Sequence, residues 1–487
     1  MSQEIRNLEP KVLWNKFADL NAVPRPSKKE ERVIEFMKDF GKNLGLETYE
    51  DEIRNVIIRK PATPGMENRK AIVMQGHLDM VHQKNGDTIF DFDTQGIDMY
   101  VDGDWVRARG TTLGADNGLG VAAIMAILES TDIPHPAIEA LFTIDEETGM
   151  TGALNLKGGI LQGQILLNLD TEEDDEIDIG CAGGIDVTAT AEYDEEETPE
   201  ASVGYKITVK GLKGGHSGMD IHKGLGNANK IMNRLLFDGF DNFGLQISEI
   251  QGGSLRNAIP RESVATVVIA EVYDEAFVFD MQQIVNDIKT ELKTTEPNLE
   301  VVFEKLKAAP AKVMPSIAQF YFVRAMYAAH NGVYAMSADF ADLVETSNNI
   351  AKVVVGDGNL TVKCLTRSSV ETAKFDLANG LRSAFELMGC EVEFSGSYPG
   401  WTPNAESEIL DVLVPIYEKQ NGAKPSVVAC HAGLECGILG TNYPEMDMIS
   451  FGPTIHGAHS PDERASISSS QKFWKFLVAI LANIPLK

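Results

Sequence analysis

A chain of 487 residues with 43% apolar content exceeds what one hydrophobic core serves, since single cores rarely grow past about 250–300 residues, so two domains are expected. The formal charge of -29 excludes a non-specific binder of nucleic-acid backbones, which needs clustered lysine and arginine. No uncharged apolar run of about 18 residues occurs, the N-terminal MSQEIRNLEPKVLW has no basic stretch feeding an apolar one, and five cysteines are too few and odd in number for a disulfide framework. These features point to a cytoplasmic protein with no membrane and no nucleic-acid partner.

Along the chain, EERVIEFMKDFGKNLG has helical spacing, AIVMQG is a short apolar strand, GLGVAAIMAILES is a second helix, and AIEALFTI and ILLNL are strands. Helix and strand alternating in this way predict an α/β domain on a central, mostly parallel sheet. The acidic, proline-containing EYDEEETPEAS reads as a boundary, and SGSYPGWTPN at 395–404 as a second. Between them YKITVKG, SVATVVIAEVYD and MQQIVNDIKTEL give an α+β pattern. A weak repeat aligns SLRNAIPRESVATVVIAEV with TSNNIAKVVVGDGNLTVKCL, placing Asn257 and Ile259 opposite Asn348 and Ile350. The expected organisation is a catalytic domain from 1–187 and 400–487, with an inserted lid of two similar halves over 188–399.

Four segments set His, Asp and Glu just past predicted strands, where open α/β sheets hold ligands. They carry His77 and Asp79 after AIVMQG, Asp116 in GADNG, Asp145, Glu146 and Glu147 after AIEALFTI, and Asp170 after ILLNL; His459 in HSPDE lies far downstream. Singly, such residues are turn formers or structural histidines. Together they demand cations, because several buried carboxylates repel one another. Ligands of this kind, without thiolates, suit zinc, manganese or cobalt. Two histidines and at least three carboxylates exceed one tetrahedral site, which favours two ions sharing a carboxylate and a water. One of Glu146 and Glu147 then binds metal while the other serves as general base, and Asp79 holds the His77 ring in its tautomer.

H-E-x-x-H, G-x-S-x-G, the P-loop and G-x-G-x-x-G are all missing from the sequence. Cys430, His431 and Cys436 could suggest a thiol or metal centre, but two buried cysteines in a glycine-rich loop are the favoured reading.

The motifs GHLDMV, LGADNGLGVA, DEETGMTGA, NLDTEE, GGHSG, HAGLECG and GAHSPDE, in this order, resemble those of the aminoacylase and carnosinase type of co-catalytic zinc peptidases through nearly the whole chain. The resemblance implies that His77 and Asp170 bind one ion, Glu147 and His459 the other, and Asp116 bridges them, with Glu146 as base. It implies substrate contacts for His216, Asn257 and Arg367, the first stabilising an oxyanion and the last pairing with a free carboxylate. Dipeptides, Xaa-His and β-alanyl-histidine among them, are the implied substrates, and monomer and homodimer both stay open. His82 departs from the family pattern, and His456 competes with His459, though only His459 precedes a glutamate by four. An N-acyl-amino-acid deacylase or a broader aminopeptidase would share every ligand. A regulatory metal protein without turnover would not need Glu146 beside Glu147.

Overall fold

The computed structural model describes residues 3–404 and 406–487. By its internal contacts the chain divides into two compact units: Met1–Gly180, Pro403–Ala429 and Leu434–Lys487 form the first, and Cys181–Thr402 with Cys430–Gly433 the second.

The first unit is α/β. Its eight-stranded sheet runs, in spatial order, Glu47–Glu50, Val56–Lys60, Ile138–Thr143, Ile72–His77, Ile165–Asn168, Asp447–Ser450, Glu176–Cys181 and Ser426–Cys430. The four central strands, from Ile138–Thr143 to Asp447–Ser450, are parallel. Ile72–His77, Ile138–Thr143 and Ile165–Asn168 are buried along their whole length, as parallel strands covered on both faces must be, and so they read as mainly apolar runs, interrupted by Gln75, Glu139, Thr143 and Asn168. Helix Ala115–Glu129 is apolar on all sides and buried from Asn117 to Leu128, the signature of a core helix rather than an amphipathic surface one. Glycine lets its first turn press against the strand ends. A Cβ on Gly76 would lie 2.3 Å from Asn117 Oδ1, and one on Gly120 would lie 2.3 Å from the Leu169 carbonyl oxygen.

The second unit is α+β around one nine-stranded antiparallel sheet. Its spine runs Glu300–Lys305, Ser202–Lys210, Ser263–Ala270, Gln246–Gly252, Val344–Gly356, Asn359–Ser368, Gly183–Glu192 and Glu391–Tyr398, with Gly332–Met336 added beside Val344–Gly356. Helices Ala228–Phe243, Asp274–Glu291, Ser316–Ala328 and Glu371–Glu386 share one apolar core with it. The segments aligned as a repeat occupy different settings: Asn257 is exposed, just ahead of the two-residue strand Ala258–Ile259, whereas Asn348 is fully buried in mid-strand.

The contact boundaries fall at 180/181 and 402/403, against the 187/188 and 399/400 read from the sequence. The first lies earlier because Gly183–Glu192 pairs with both Asn359–Ser368 and Glu391–Tyr398. EYDEEETPEAS is therefore not a linker; it ends one strand and contains another, Glu196–Glu197, paired with Lys312–Val313. Among the described residues no helix is long and apolar enough to cross a membrane.

Candidate metal centre

His77 ends its strand with the side chain 1% exposed. Its Nδ1 lies 3.4 Å from Asp79 Oδ1, and the Asp79 carboxylate also accepts the backbone N–H groups of Glu146 at 3.0 Å and Glu147 at 3.3 Å. One buried aspartate thus fixes the ring and the loop after the neighbouring strand. Burial penalises its charge, yet the His77 contact and the Glu146 N–H hold Asp79 below the usual carboxylate range.

The other face of the ring looks onto two carboxylates. His77 Nε2 lies 3.1 Å from Asp116 Oδ1 and 3.6 Å from Asp170 Oδ1. His459 Nε2 lies 3.2 Å from Asp116 Oδ2 and 2.9 Å from Glu147 Oε2. Asp116 therefore presents one oxygen to each imidazole. Two triads result, His77, Asp116 and Asp170, and Asp116, Glu147 and His459, each offering donor atoms within 4.8 Å of one another. His77, Glu146 and Glu147 form a third such group. His459 sits at φ 64°, a conformation a non-glycine residue adopts at a cost and which recurs at functional sites.

The electrostatics express crowding. Burial, with Asp116 and Glu147 adding repulsion and His77 easing it, pushes Asp170 up to about 6. Burial likewise raises Glu146 well above its ordinary value, with Asp170, Glu435 and Glu147 contributing. Hydrogen bonds from the His459 ring to Asp116 and Glu147 lift His459 to about 11, and although burial opposes it, Asp170 and Asp116 raise His77 as well. Asp116 is held well below the carboxylate range by both imidazoles against the pull of burial. Two divalent cations would compensate this concentration of negative charge. The donor set, imidazole nitrogen and carboxylate oxygen around a shared aspartate, fits such ions.

Three supporting residues were not singled out from the sequence. Glu463, 2% exposed, accepts four backbone N–H groups: Leu113 at 2.6 Å and Gly114 at 2.9 Å on Oε2, Ala115 at 2.7 Å and Asp116 at 3.2 Å on Oε1. It ties the His459 loop to the Asp116 loop, and its spacing of four from His459 was its one visible signal. Arg25, 1% exposed, donates to the carbonyls of Leu78, Asp79 and Gly114. Glu172 is raised to about 9, first by burial and then by Asp116 and Asp170.

The residues expected to touch substrate lie in the second unit. His216 forms a two-residue strand paired with Ala258–Ile259, and Ser217 N–H donates to the Asn257 carbonyl at 2.8 Å. His216 Nδ1 accepts the N–H groups of Gly218 at 3.2 Å and Met219 at 3.0 Å, so a neutral ring carries its proton on Nε2. Burial and then Arg367 lower its pKa. Arg367 is 4% exposed, its Nη1 donates to Tyr398 Oη at 2.9 Å, and its Nε has no hydrogen-bond partner among the described residues. His431, its Nε2 2.8 Å from Ser347 Oγ, belongs to the same cluster and is pushed down to about 3, by burial first and then by Arg367.

Other candidates fall elsewhere. His456 Nε2 lies 3.4 Å from Glu173 Oε1 with its ring against Trp105, and His82 meets Phe92 edge to face. Cys436 is buried but Cys430 is only half-buried, 3.7 Å from Met219 Sδ, because its strand ends at the edge of the sheet.

Comparison with known proteins accounts for this arrangement. The model of peptidase family M20/M25/M40 matches residues 73–483. The cytosol non-specific dipeptidase of Escherichia coli is 43% identical over 99% of this chain and 100% of its own length. The crystal structure of aminoacylhistidine dipeptidase from Vibrio alginolyticus superposes with a TM-score of 0.94 at 45% identity, covering 100% of this chain and 99% of that one. The aminopeptidase PepT of Bacillus cereus shares the fold at a TM-score of 0.57 and 16% identity, over 98% of this chain and 99% of that one. With the family's model spanning the strand ends that carry the clustered residues, the chain belongs to peptidase family M20/M25/M40 and is a peptide-bond hydrolase.

Proposed function

We propose that the chain is a di-metal dipeptidase that cleaves dipeptides, Xaa-His and β-alanyl-histidine among them, in the cytoplasm. The observation that carries this reading is Asp116, whose two oxygens face two different imidazoles at 3.1 and 3.2 Å. His77, Asp116 and Asp170 would hold one divalent ion, and Asp116, Glu147 and His459 the other, with zinc the favoured metal and cobalt or manganese the alternatives. Such ions, when bound, polarise a peptide carbonyl and acidify water.

The chain's own residues divide the remaining work. Glu146, half-buried and raised well above an ordinary carboxylate, has the character of a base that takes the proton of the attacking water and hands it to the leaving amine. Asp79 keeps Glu146 and Glu147 in place through their backbone N–H groups and orients His77. His216, with its proton on Nε2, can donate to the oxygen on which negative charge develops. Arg367, with an unused N–H, suits the free carboxylate of a dipeptide. Asn257 is assigned a substrate contact on family resemblance. The names of the Escherichia coli and Vibrio alginolyticus relatives support dipeptides as the substrate class.

Metal analysis of active protein, joined to a panel of dipeptides, tripeptides and acetylated amino acids, tests the proposal. Two ions per chain and preference for free dipeptides are expected. One ion per active chain would overturn the shared-aspartate reading, and faster cleavage of acetylated amino acids would make the enzyme a deacylase.

A further inference from the structure

Beneath the clustered ligands the first unit contains a second polar system. Glu435, the first residue of helix Glu435–Asn442, is 0% exposed. Its Oε2 accepts Gln75 Nε2 and Thr143 Oγ1, both at 2.6 Å. From there the hydrogen bonds run sideways through the sheet: Asn168 Nδ2 donates to Gln75 Oε1, Ser450 Oγ donates to Asn168 Oδ1, and Thr171 Oγ1 lies 2.8 Å from Ser450 Oγ. Thr143, Gln75, Asn168 and Ser450 belong to four adjacent strands, and Gln75, Asn168 and Ser450 are direct register partners. All four are 0% exposed.

The direction of this chain is not free. A carboxylate only accepts, so Gln75 must turn its amide N–H toward Glu435 and its carbonyl toward Asn168. Asn168 must then donate to Gln75 and accept from Ser450. The buried Glu435 carboxylate at one end orients Gln75, Asn168 and Ser450, while at the other end Thr171 Oγ1 donates to Asp178 Oδ2 at 2.7 Å, and aligned donors reinforce one another in a low-dielectric interior. The row is also close to the reacting groups in sequence and space. Gln75 is two residues from His77, Thr143 is the register partner of His77 and precedes Glu146 by three, and Asn168 precedes Asp170 by two. Glu435 Oε1, in turn, has no hydrogen-bond partner among the described residues. Such a row is costly in a core that an apolar run could fill, which argues for a task other than stability.

We infer that Glu435 is a positioning residue for hydrolysis: through Gln75, Thr143 and Asn168 it sets the relative stagger of the three strand ends that carry His77, Glu146 with Glu147, and Asp170. The inference rests on the roles proposed above for those residues. Misplacing a reacting group by about 1 Å can cost 10²-fold in rate, so a loosened row acts on turnover before it acts on binding.

The test compares Glu435→Leu, Glu435→Gln and Thr143→Val in the full-length metal-loaded enzyme, reading kcat, KM, bound metal and thermal midpoint. Leucine removes the acceptor and should lower kcat by roughly tenfold or more, with KM within about twofold and two ions retained. Glutamine keeps an acceptor oxygen for both donors and should restore most of kcat. Thr143→Val deletes a single donor, keeps the shape, and should lower kcat by about threefold, which preserves the test if the leucine variant does not fold. Wild-type kcat in the leucine or valine variant, or a glutamine variant as impaired as leucine, overturns the inference. Glu146→Gln separates the two readings: activity retained there would refute the assigned base, whatever Glu435 does.

Discussion

The two units solve opposite electrostatic problems. In the first, carboxylates crowd together, and those not held down by an imidazole rise, Asp170 to about 6 and Glu435 to about 7, both chiefly through burial. In the second, Arg367 lies among imidazoles whose values fall, His216 below its ordinary range and His431 to about 3. Carboxylates outnumber cationic groups in the first cluster, whereas in the second Arg367 and the imidazoles face Asp186 and Asp220. Burial has the same physical effect in both, disfavouring whichever charge is concentrated there; the proposed metal ions suit the carboxylates of one unit, and the proposed substrate carboxylate suits Arg367 in the other.

The sharpest way to break this contrast lies in the first unit. Glu146→Gln should lower kcat by about 10²–10⁴-fold, the usual weight of a general base, while leaving metal content at the wild-type level. Asp116→Ala should release metal instead. Equal metal loss from both, measured by elemental analysis, would show that Glu146 ligates rather than shuttles protons.

Arg367→Ala tests the second unit. Loss of a charge-assisted contact of about 1.5–3 kcal/mol should cost one to two orders of magnitude in kcat/KM on free dipeptides. Amidated dipeptides should be little affected, so the preference between the two forms should vanish. If the preference survives, the substrate carboxylate is held elsewhere.

Glu463→Gln returns to the metal centre with a smaller effect. A carboxylate accepts all four N–H groups of residues 113–116, whereas an amide turns its own donors toward two of them. Supporting residues of this kind typically weaken metal binding by about tenfold or somewhat more when altered, and titration against a competing chelator would measure it. Unchanged affinity would mean that the Asp116 loop keeps its shape without the cradle.

The smallest effect concerns pH. Because His431 has a folded pKa of about 3 against an ordinary 6.5, the unfolded chain takes up that proton first. Its contribution to stability is therefore complete above pH 6.5 and is lost as pH falls from 6.5 toward 3. His431→Gln should flatten the fall of the thermal midpoint across that window. An unaltered profile would remove His431 from the cluster's electrostatics.

Much of the first unit was legible because its chemistry sits at the ends of apolar runs. AIVMQG, AIEALFTI and ILLNL identify three central strands, and the residues just after them are those the fold gathers. Periodicity could not show what joins the gathered loops. Arg25 stands in RPSKKEER, a stretch that reads as a solvated surface, yet it is 1% exposed because three carbonyls distant in sequence converge on it. Glu435 stands between a glycine-rich turn and a cysteine, and nothing local to it announces partners on strands more than 290 residues upstream. The acidic run after Gly183–Glu192 was misread for a related reason: composition reports solvent exposure, and an exposed strand edge has the same composition as a linker.

The placement of Asp447–Ser450 between Ile165–Asn168 and Glu176–Cys181 has a consequence for biosynthesis. On a ribosome the first unit's sheet must wait with an open slot while the whole of residues 181–402 emerges, and that unit is free to fold in the meantime. Folding it shortens the tether between the waiting strands and their late partner, which lowers the entropic cost of closing so long a loop. His459 and Glu463 arrive only after that slot is filled. A nascent chain therefore cannot assemble the complete cluster before His459 and Glu463 have emerged.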